Sequence, residues 1–334
     1  MRTVVTGGAG FIGSHLTDHL LACGDEVVVL DDLSTGSLDN LADVMDHPRL
    51  RRVHGTVLDR HQVDRLVHGA DRVFHLAAAV GVRRIVEEPL QSLRVNLHGT
   101  ENVLEAARAA GATVLLASTS EIYGKNTSDA LSESADRILG SPLVSRWTYA
   151  AAKGIDEAFA HAFWRERGLE VTIVRLFNTV GPRQTGRYGM VVPNLVGQAL
   201  RGEPLTVFGD GTQTRCFSYV GDIVPALVEL IEHPAARGQA VNLGGATEIS
   251  IGALARRIVA LLDSPSEIVL VPYSLAYGEG YEDMRRRVPD NTLAGQLIGF
   301  TPRTGIDAII RNVADAMVCD ARMAPTALPT ALTT

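Results

Sequence analysis

The chain has 334 residues, 46% hydrophobic and 21% charged, with 31 Lys and Arg against 38 Asp and Glu for a formal net charge of −7. At ~100–200 residues per domain this length fits two compact units or one large α/β unit, and it excludes a small scaffold held by disulfide staples. Acidity without a block of like charge argues against nucleic acid or an anionic membrane as the main partner, because both reward clustered Lys and Arg.

Short β-branched runs alternate with amphipathic stretches through the first half, which is the pattern of a parallel α/β sheet with crossover helices. Strands are expected at Thr3–Thr6, Glu26–Leu30, Arg51–His54, Arg72–Leu76 and Thr113–Ala117, with helices near Phe11–Ala22, Val63–His68 and Leu90–Ala110. The polar stretch from Lys125 to Ser145 reads as a surface loop over the strand ends. A helix is expected from about Thr148 to Arg167, stopped by Gly168, and then a strand at Val171–Leu176. Helices near Pro193–Arg201 and Ile223–His233 mix with short strands at Leu205–Phe208 and Val241–Leu243, a change of texture that suggests a smaller second lobe. The expected division is 1–180, then 181–322 with some chain crossing back, then a disordered tail over 323–334, where PTAL repeats.

Cys23, Cys216 and Cys319 stand far apart, and neither they nor His15, His75 and the other eight histidines have metal-ligand spacing. No metal is expected, and a reducing cytoplasm is the simplest home. The sequence opens directly on a strand and turn rather than on a basic and apolar leader, so export by that route is not expected. No apolar run reaches the ~18–20 residues needed to span a bilayer.

The first expected strand leads into Gly7-Gly8-Ala9-Gly10-Phe11-Ile12-Gly13 and then a helix, giving glycines at the spacing GxxGxxG. Such a loop can turn sharply, approach a diphosphate closely and present helix-terminal amides to it. The next strand ends at Asp31-Asp32, where a carboxylate can accept both hydroxyls of an adenosine ribose and would repel the 2′-phosphate of NADP. NAD is the expected cofactor.

Lysine is scarce, with Lys125 and Lys153 the only two, so the position of each is informative. Tyr149 and Lys153 stand four residues apart on an expected helix and share one face. An ammonium beside a phenol favours the phenolate and brings it toward a useful general base. Seven tyrosines and two lysines predict only ~0.04 chance YxxxK matches in a chain of this length.

With TGGAGFIG at the start, STSEIYG after the fifth strand, YAAAK on a helix and RLFNTVGPRQ after the sixth, the chain resembles the extended short-chain dehydrogenase/reductases. These are the nucleotide-sugar epimerases, dehydratases and decarboxylases, and the resemblance covers about residues 1–315. It implies a Rossmann-type doubly wound sheet that binds NAD along Gly7, Gly10, Phe11, Ile12, Gly13, Asp31, Asp32, Leu76 and Ala77, with a smaller lobe for a UDP-sugar. Thr119, Tyr149 and Lys153 would form the catalytic triad, and Asn96, in VNLHGT, would support it. Asn178 would bind the diphosphate region and Val192 would lie against the sugar nucleotide. LTVFGDGTQTRCFSYVGD looks like the uridine-binding strand and loop, with Thr206 and Phe208 near the base and Arg215 on the diphosphate. Relatives carry an Asp for adenine where this chain has Thr56-Val57, so that contact is not implied for this chain, and whether Asp59 replaces it is left open. The resemblance also implies a homodimer through the helices at about 90–110 and 148–167.

Ser120-Glu121 after the triad hydroxyl differs from the small residues of simple 4-epimerases and from the Asp-Glu pair of 4,6-dehydratases. It resembles the UDP-glucuronate decarboxylases, as do RWTYAAAK and YGEGYEDMRRRVPD, and on that match Tyr281 contacts substrate and Arg287 faces the reacting carboxylate. The chemistry agrees: oxidation at C4 of a hexuronate puts a ketone β to the C6 carboxylate, so carbon dioxide can leave with its electrons held as an enolate. Glu121 is expected to crowd the carboxylate by like charge and to help deliver a water proton to C5. UDP-xylose and UDP-4-keto-pentose are the two expected products. The alternatives are a UDP-glucuronate 4-epimerase, an NDP-glucose 4,6-dehydratase and a silent NAD-binding regulator.

Overall fold

Along the first strand, β1 (Arg2–Thr6), the side chains alternate, so Val4 packs into one hydrophobic layer and Val5 into another. A strand buried on both faces needs helices on both sides of its sheet. The computed structural model, which describes residues 1–79, 88–186, 189–277 and 284–319, has that architecture. After β1 the chain runs through α1 (Phe11–Ala22), β2 (Glu26–Asp31), β3 (Leu50–His54), α2 (Arg60–Val67), β4 (Arg72–His75), α3 (Pro89–Ala110), β5 (Thr113–Thr119), α4 (Thr148–Arg167) and β6 (Val171–Leu176). The second half comprises β7 (Thr179–Val180), α5 (Val191–Leu200), β8 (Leu205–Phe208), β9 (Thr214–Cys216), β10 (Ser218–Tyr219), α6 (Val220–Glu232) and β11 (Ala240–Leu243). It continues with β12 (Glu248–Ser250), α7 (Ile251–Leu261), β13 (Ile268–Val271), α8 (Tyr273–Tyr277), β14 (Arg286–Arg287), α9 (Thr292–Ile298) and α10 (Ile306–Cys319).

Seven parallel strands form the central sheet in the order β11-β6-β5-β4-β1-β2-β3. Helices α2, α3 and α4 cover one face through Val63, Leu104 and Ala160, and α1, α6 and α9 cover the other through Leu16, Leu227 and Ala294. The strand order reverses at β1, which lies between β2 and β4, so a crevice opens at the carboxyl ends there. A third core, with Val196, Leu254 and Val313 from α5, α7 and α10, packs around Val207 of β8 and makes the smaller lobe.

Two expectations need correction. The helix near 223–233 and the strand near 241–243, read in the sequence as lobe elements, lie on the central sheet: β11 pairs with β6 from Ala240 opposite Ile173 to Leu243 opposite Leu176. The chain leaves the sheet after β6, builds part of the lobe and returns, which local pattern alone does not reveal. Helices α7 and α10 carry apolar faces that were not among the expected elements. The stretch from 125 to 145 is a largely exposed loop, tied down where Leu131 is buried, donates its N–H to the Val288 carbonyl and accepts from Asn242. The stretch expected as a tail, 323–334, lies outside the described residues.

The helix that carries Tyr149 and Lys153 is fixed against the sheet by a buried network. Arg175 on β6 meets Glu157 on α4 at 2.7 Å, and Glu157 also accepts from Ser118 at the end of β5. The hydroxyl of Tyr123 accepts from Arg175 at 2.9 Å and donates to Asn242 on β11. A fully paired network of this kind gives α4 a single seat.

Candidate active site

One cleft of about 480 Å³ follows the crevice at the strand ends and continues into the smaller lobe. Its floor is the glycine loop. Gly7 has φ +72°, and a Cβ there would stand 2.8 Å from the Ala77 nitrogen, while a Cβ on Gly13 would collide with the Gly7 carbonyl. These contacts explain the glycines: loop, β4 end and α1 start approach more closely than any side chain permits. Gly10, Phe11 and Ile12 line the cleft where α1 begins, and Leu76 and Ala77 line it from β4, with the Ala77 N–H donating to the Thr6 hydroxyl.

At the end of β2 the two aspartates divide their work. Asp31 accepts from the Ala9 and Leu33 N–H groups, which ties the glycine loop to β2, whereas Asp32 is exposed and accepts from Ser34. Both line the cleft. Gly55, Thr56 and Val57 line its far end, and Asp59 instead caps α2 by accepting from the Gln62 N–H, so it does not stand in for the missing adenine-binding carboxylate. A glycine cradle closed to side chains, with carboxylates at the next strand end, fits a dinucleotide such as NAD.

Thr119, Ser120, Glu121 and Tyr149 line the middle of the same cleft. Thr119 ends β5 and its hydroxyl accepts from the Glu121 N–H, starting a short 3₁₀ turn over Ser120–Tyr123 that fixes the Glu121 backbone. Tyr149 is 8% exposed. Burial first, and then the charges of Glu121 and Asp156, push its hydroxyl above the ordinary tyrosine value.

Burial thus outweighs the pull toward the phenolate expected of Lys153. Lys153 lies behind the cleft wall, 2% exposed, with its ammonium 2.8 Å from the carboxylate of Asp156, itself fully buried. Burial pushes Asp156 upward while Lys153 and the Thr100 hydroxyl oppose it. Thr100 also meets Nε2 of His75 at 3.1 Å, and His75 Nδ1 meets the Thr6 hydroxyl at 2.7 Å. Burial, with the Lys153 charge, brings His75 down to about 3, so this ring is neutral. Asn96 lies behind the wall too, where its side-chain oxygen accepts from the Ala79 N–H and so shapes the lining at one remove.

Glu121 is the electrostatic centre of the sugar end. Arg146 holds it through both guanidinium nitrogens, one contact being 3.2 Å, and Arg287 reaches it at 3.3 Å. These two cations, with Arg215 further off, bring the Glu121 carboxyl down to about 2 despite its burial. It is therefore ionised at neutral pH and is not itself a proton donor there. Its charge is countered on two sides, which weakens the expected crowding of a substrate carboxylate. Arg286 and Arg287 alternate on β14: Arg286 turns outward to Glu248 and Arg287 turns inward to Glu121. Arg146 was not among the expected residues, although it opens the RWTYAAAK stretch that leads to Tyr149.

The lobe completes the cleft with Asn178, Val192 at the start of α5, Thr206 and Phe208 on β8, and Arg215 on β9. Arg215 is 5% exposed, and the Thr206 hydroxyl accepts from Gln198 at 2.9 Å. Tyr281 lies outside the described residues.

Residues 3–244 match the NAD dependent epimerase/dehydratase family. The chain is 39% identical over 302 residues to a UDP-N-acetyl-alpha-D-glucosaminuronate decarboxylase from Bacillus cytotoxicus, covering 90% of this chain and 92% of that protein. It is 38% identical to UDP-glucuronic acid decarboxylase 1 from Xenopus tropicalis, over 90% of this chain and 68% of that one. Among solved structures, the UDP-glucuronic acid 4-epimerase of Bacillus cereus, in complex with UDP-glucuronic acid and NAD, aligns with a TM-score of 0.86 at 27% identity, covering 96% of this chain and 99% of the other. The glycine cradle, the Tyr149–Lys153 helix and these matches agree: the chain belongs to the NAD dependent epimerase/dehydratase family, with NAD as its cofactor.

Proposed function

We propose that the protein decarboxylates UDP-glucuronate by way of its 4-keto derivative. The observation that carries this reading is the inward turn of Arg287, which brings a guanidinium to Glu121 in the cleft that Tyr149 also lines. A guanidinium at that position receives a hexuronate carboxylate by paired hydrogen bonds, and a neutral hydroxymethyl group offers it no anion. The relatives named UDP-glucuronic acid decarboxylase, 35–38% identical over at least 90% of this chain, support the same substrate class.

The UDP portion lies along Asn178, Val192, Thr206, Phe208 and Arg215, with the sugar between Ser120, Tyr149 and Arg287. NAD, which Gly7, Gly10 and Gly13 would hold along the glycine loop, would supply the acceptor for the C4 hydride and the means of its return. Tyr149, as the phenolate that the positive nicotinamide ring of a bound cofactor would favour against the effect of burial, removes the proton of the 4-hydroxyl, which leaves a ketone β to the carboxylate. The C5–C6 bond then breaks, its electron pair passes into the enolate at C4, and carbon dioxide leaves. Hydroxyls of Tyr149 and Thr119 hydrogen-bond the enolate oxygen as its charge develops, and C5 takes its proton from water. Return of the hydride gives UDP-xylose, and earlier escape of the ketone gives UDP-4-keto-pentose.

Incubation with NAD and UDP-glucuronate, followed by product mass, carbon dioxide and reduced-nicotinamide absorbance, tests this reading. Loss of one carbon dioxide per sugar is the expected result. An isomer of unchanged mass would instead make the protein a 4-epimerase, and UDP-N-acetylglucosaminuronate, UDP-glucose and dTDP-glucose run in parallel define the substrate class.

The same reading assigns residues 1–180 mainly to NAD and catalysis and 181–322 mainly to the nucleotide sugar. It pairs two copies through α3 and α4, a proposal supported by the exposed apolar residues Leu90, Ile155 and Trp164 on those helices, and sedimentation tests it. Free thiols at Cys23, Cys216 and Cys319 support a reducing, cytoplasmic setting. No helix among the described residues is long and apolar enough to cross a membrane.

A further inference from the structure

The two arginines on Glu121 hold it unequally. Arg146 comes from the turn immediately before α4, is 4% exposed, and grips both carboxylate oxygens through its fork. Its guanidinium also sits 5.5 Å from the ring centre of Trp147, which is 1% exposed, so it is clamped between an indole and the carboxylate. Arg287 comes from a strand of two residues, is more open to the cleft at 11% side-chain exposure, and reaches Glu121 through one nitrogen at 3.3 Å. A bidentate, sealed ion pair outlasts a single long one when a new anion competes. Other groups near Glu121 are Arg215 of β9, the Tyr149 hydroxyl of α4 and the Thr119 hydroxyl of β5.

We infer that Arg146 is a positioning residue that keeps Glu121 when the substrate carboxylate displaces it from Arg287. Glu121 occupies Arg287 until a uronate arrives, the two carboxylates exchange on that guanidinium, and Arg146 retains the one that withdraws. Binding is then selective for an anionic C6 group, because a neutral hexose has nothing with which to displace Glu121. This inference rests on the proposed hexuronate substrate and adds a specificity role for Arg146, which acts through Glu121.

The test is equilibrium binding of UDP-glucuronate and UDP-glucose to the NAD-loaded protein in a Tyr149→Phe background, which prevents turnover. Arg146→Gln lets Glu121 settle wholly on Arg287, so UDP-glucuronate binding weakens about tenfold while UDP-glucose changes less than about twofold. Glu121→Gln, which removes the competitor, tightens UDP-glucuronate several-fold, and adding it to Arg146→Gln cancels the loss. Arg146→Lys keeps the charge without the fork and gives an intermediate value, a variant that serves if Arg146→Gln melts early. Equal weakening of both sugars, or a loss that Glu121→Gln does not cancel, overturns the inference. Failure of the proposed reaction shows separately, as no carbon dioxide from the unmutated protein.

Discussion

Lys153 and Asp156, three residues apart on α4, form an ion pair of 2.8 Å with 2% and 0% side-chain exposure. Their spacing puts them on one helical face, and the core closes over both. Removing one partner from such a pair leaves a buried charge with no counter-ion, which costs about 3–5 kcal/mol, whereas replacing both with apolar residues is often neutral. Asp156→Ala is therefore expected to lower urea stability by about that amount, and Lys153→Met combined with Asp156→Leu to recover most of it. A loss below about 0.5 kcal/mol for Asp156→Ala would mean that the pair does not anchor Lys153.

Acid should destabilise the protein partly through Glu121. Its carboxyl ionises near 2 in the fold against an ordinary 4.5, so the ionised form is favoured by folding. That contribution is complete above the ordinary value and disappears as pH falls from about 4.5 to about 2. Thermal melts across this window should fall less steeply for Glu121→Gln than for the unmutated protein, and parallel curves would contradict the assignment.

Gly7→Ala is expected to disrupt the dinucleotide cradle. Position 7 has φ +72° and its Cβ would press on the Ala77 backbone, which has no flexible end to yield. The variant should melt earlier by about 1 kcal/mol or more and lose most NAD binding in a fluorescence titration.

The catalytic role of Tyr149 predicts a separation of binding from chemistry. Tyr149→Phe should lower turnover by about 10²–10⁴-fold while leaving UDP-glucuronate affinity within a few-fold. Comparable loss in both would move Tyr149 from catalysis to simple contact.

How far the sequence reads the molecule depends on how local the cause is. The first six strands are legible because most are short apolar runs separated by amphipathic helical stretches, and Gly168 stops α4 in the left-handed conformation that its position suggests. The glycine loop and the YxxxK helix are legible for the same reason. Local pattern does not reveal that β11 rejoins the central sheet, nor that Arg287 belongs to a strand too short to have a period. Glu121 and Arg287 are 166 residues apart and are brought together by the β9–β14 pairing and by Leu131 bonded to Val288. Arg146 was missed because its meaning lies in Glu121, 25 residues away. The i, i+3 pairing of Lys153 with Asp156 is readable in the sequence too, and it engages the same ammonium that the i, i+4 relation brings toward Tyr149.

The central claim is that the bond to the carboxylate breaks only after hydride has left C4. A single turnover with UDP-glucuronate deuterated at C4 measures this directly, by quenching and locating the label. Deuterium should be found on the nicotinamide before or with carbon dioxide release and then at C4 of UDP-xylose. Carbon dioxide released from sugar whose deuterium never leaves C4 would contradict it.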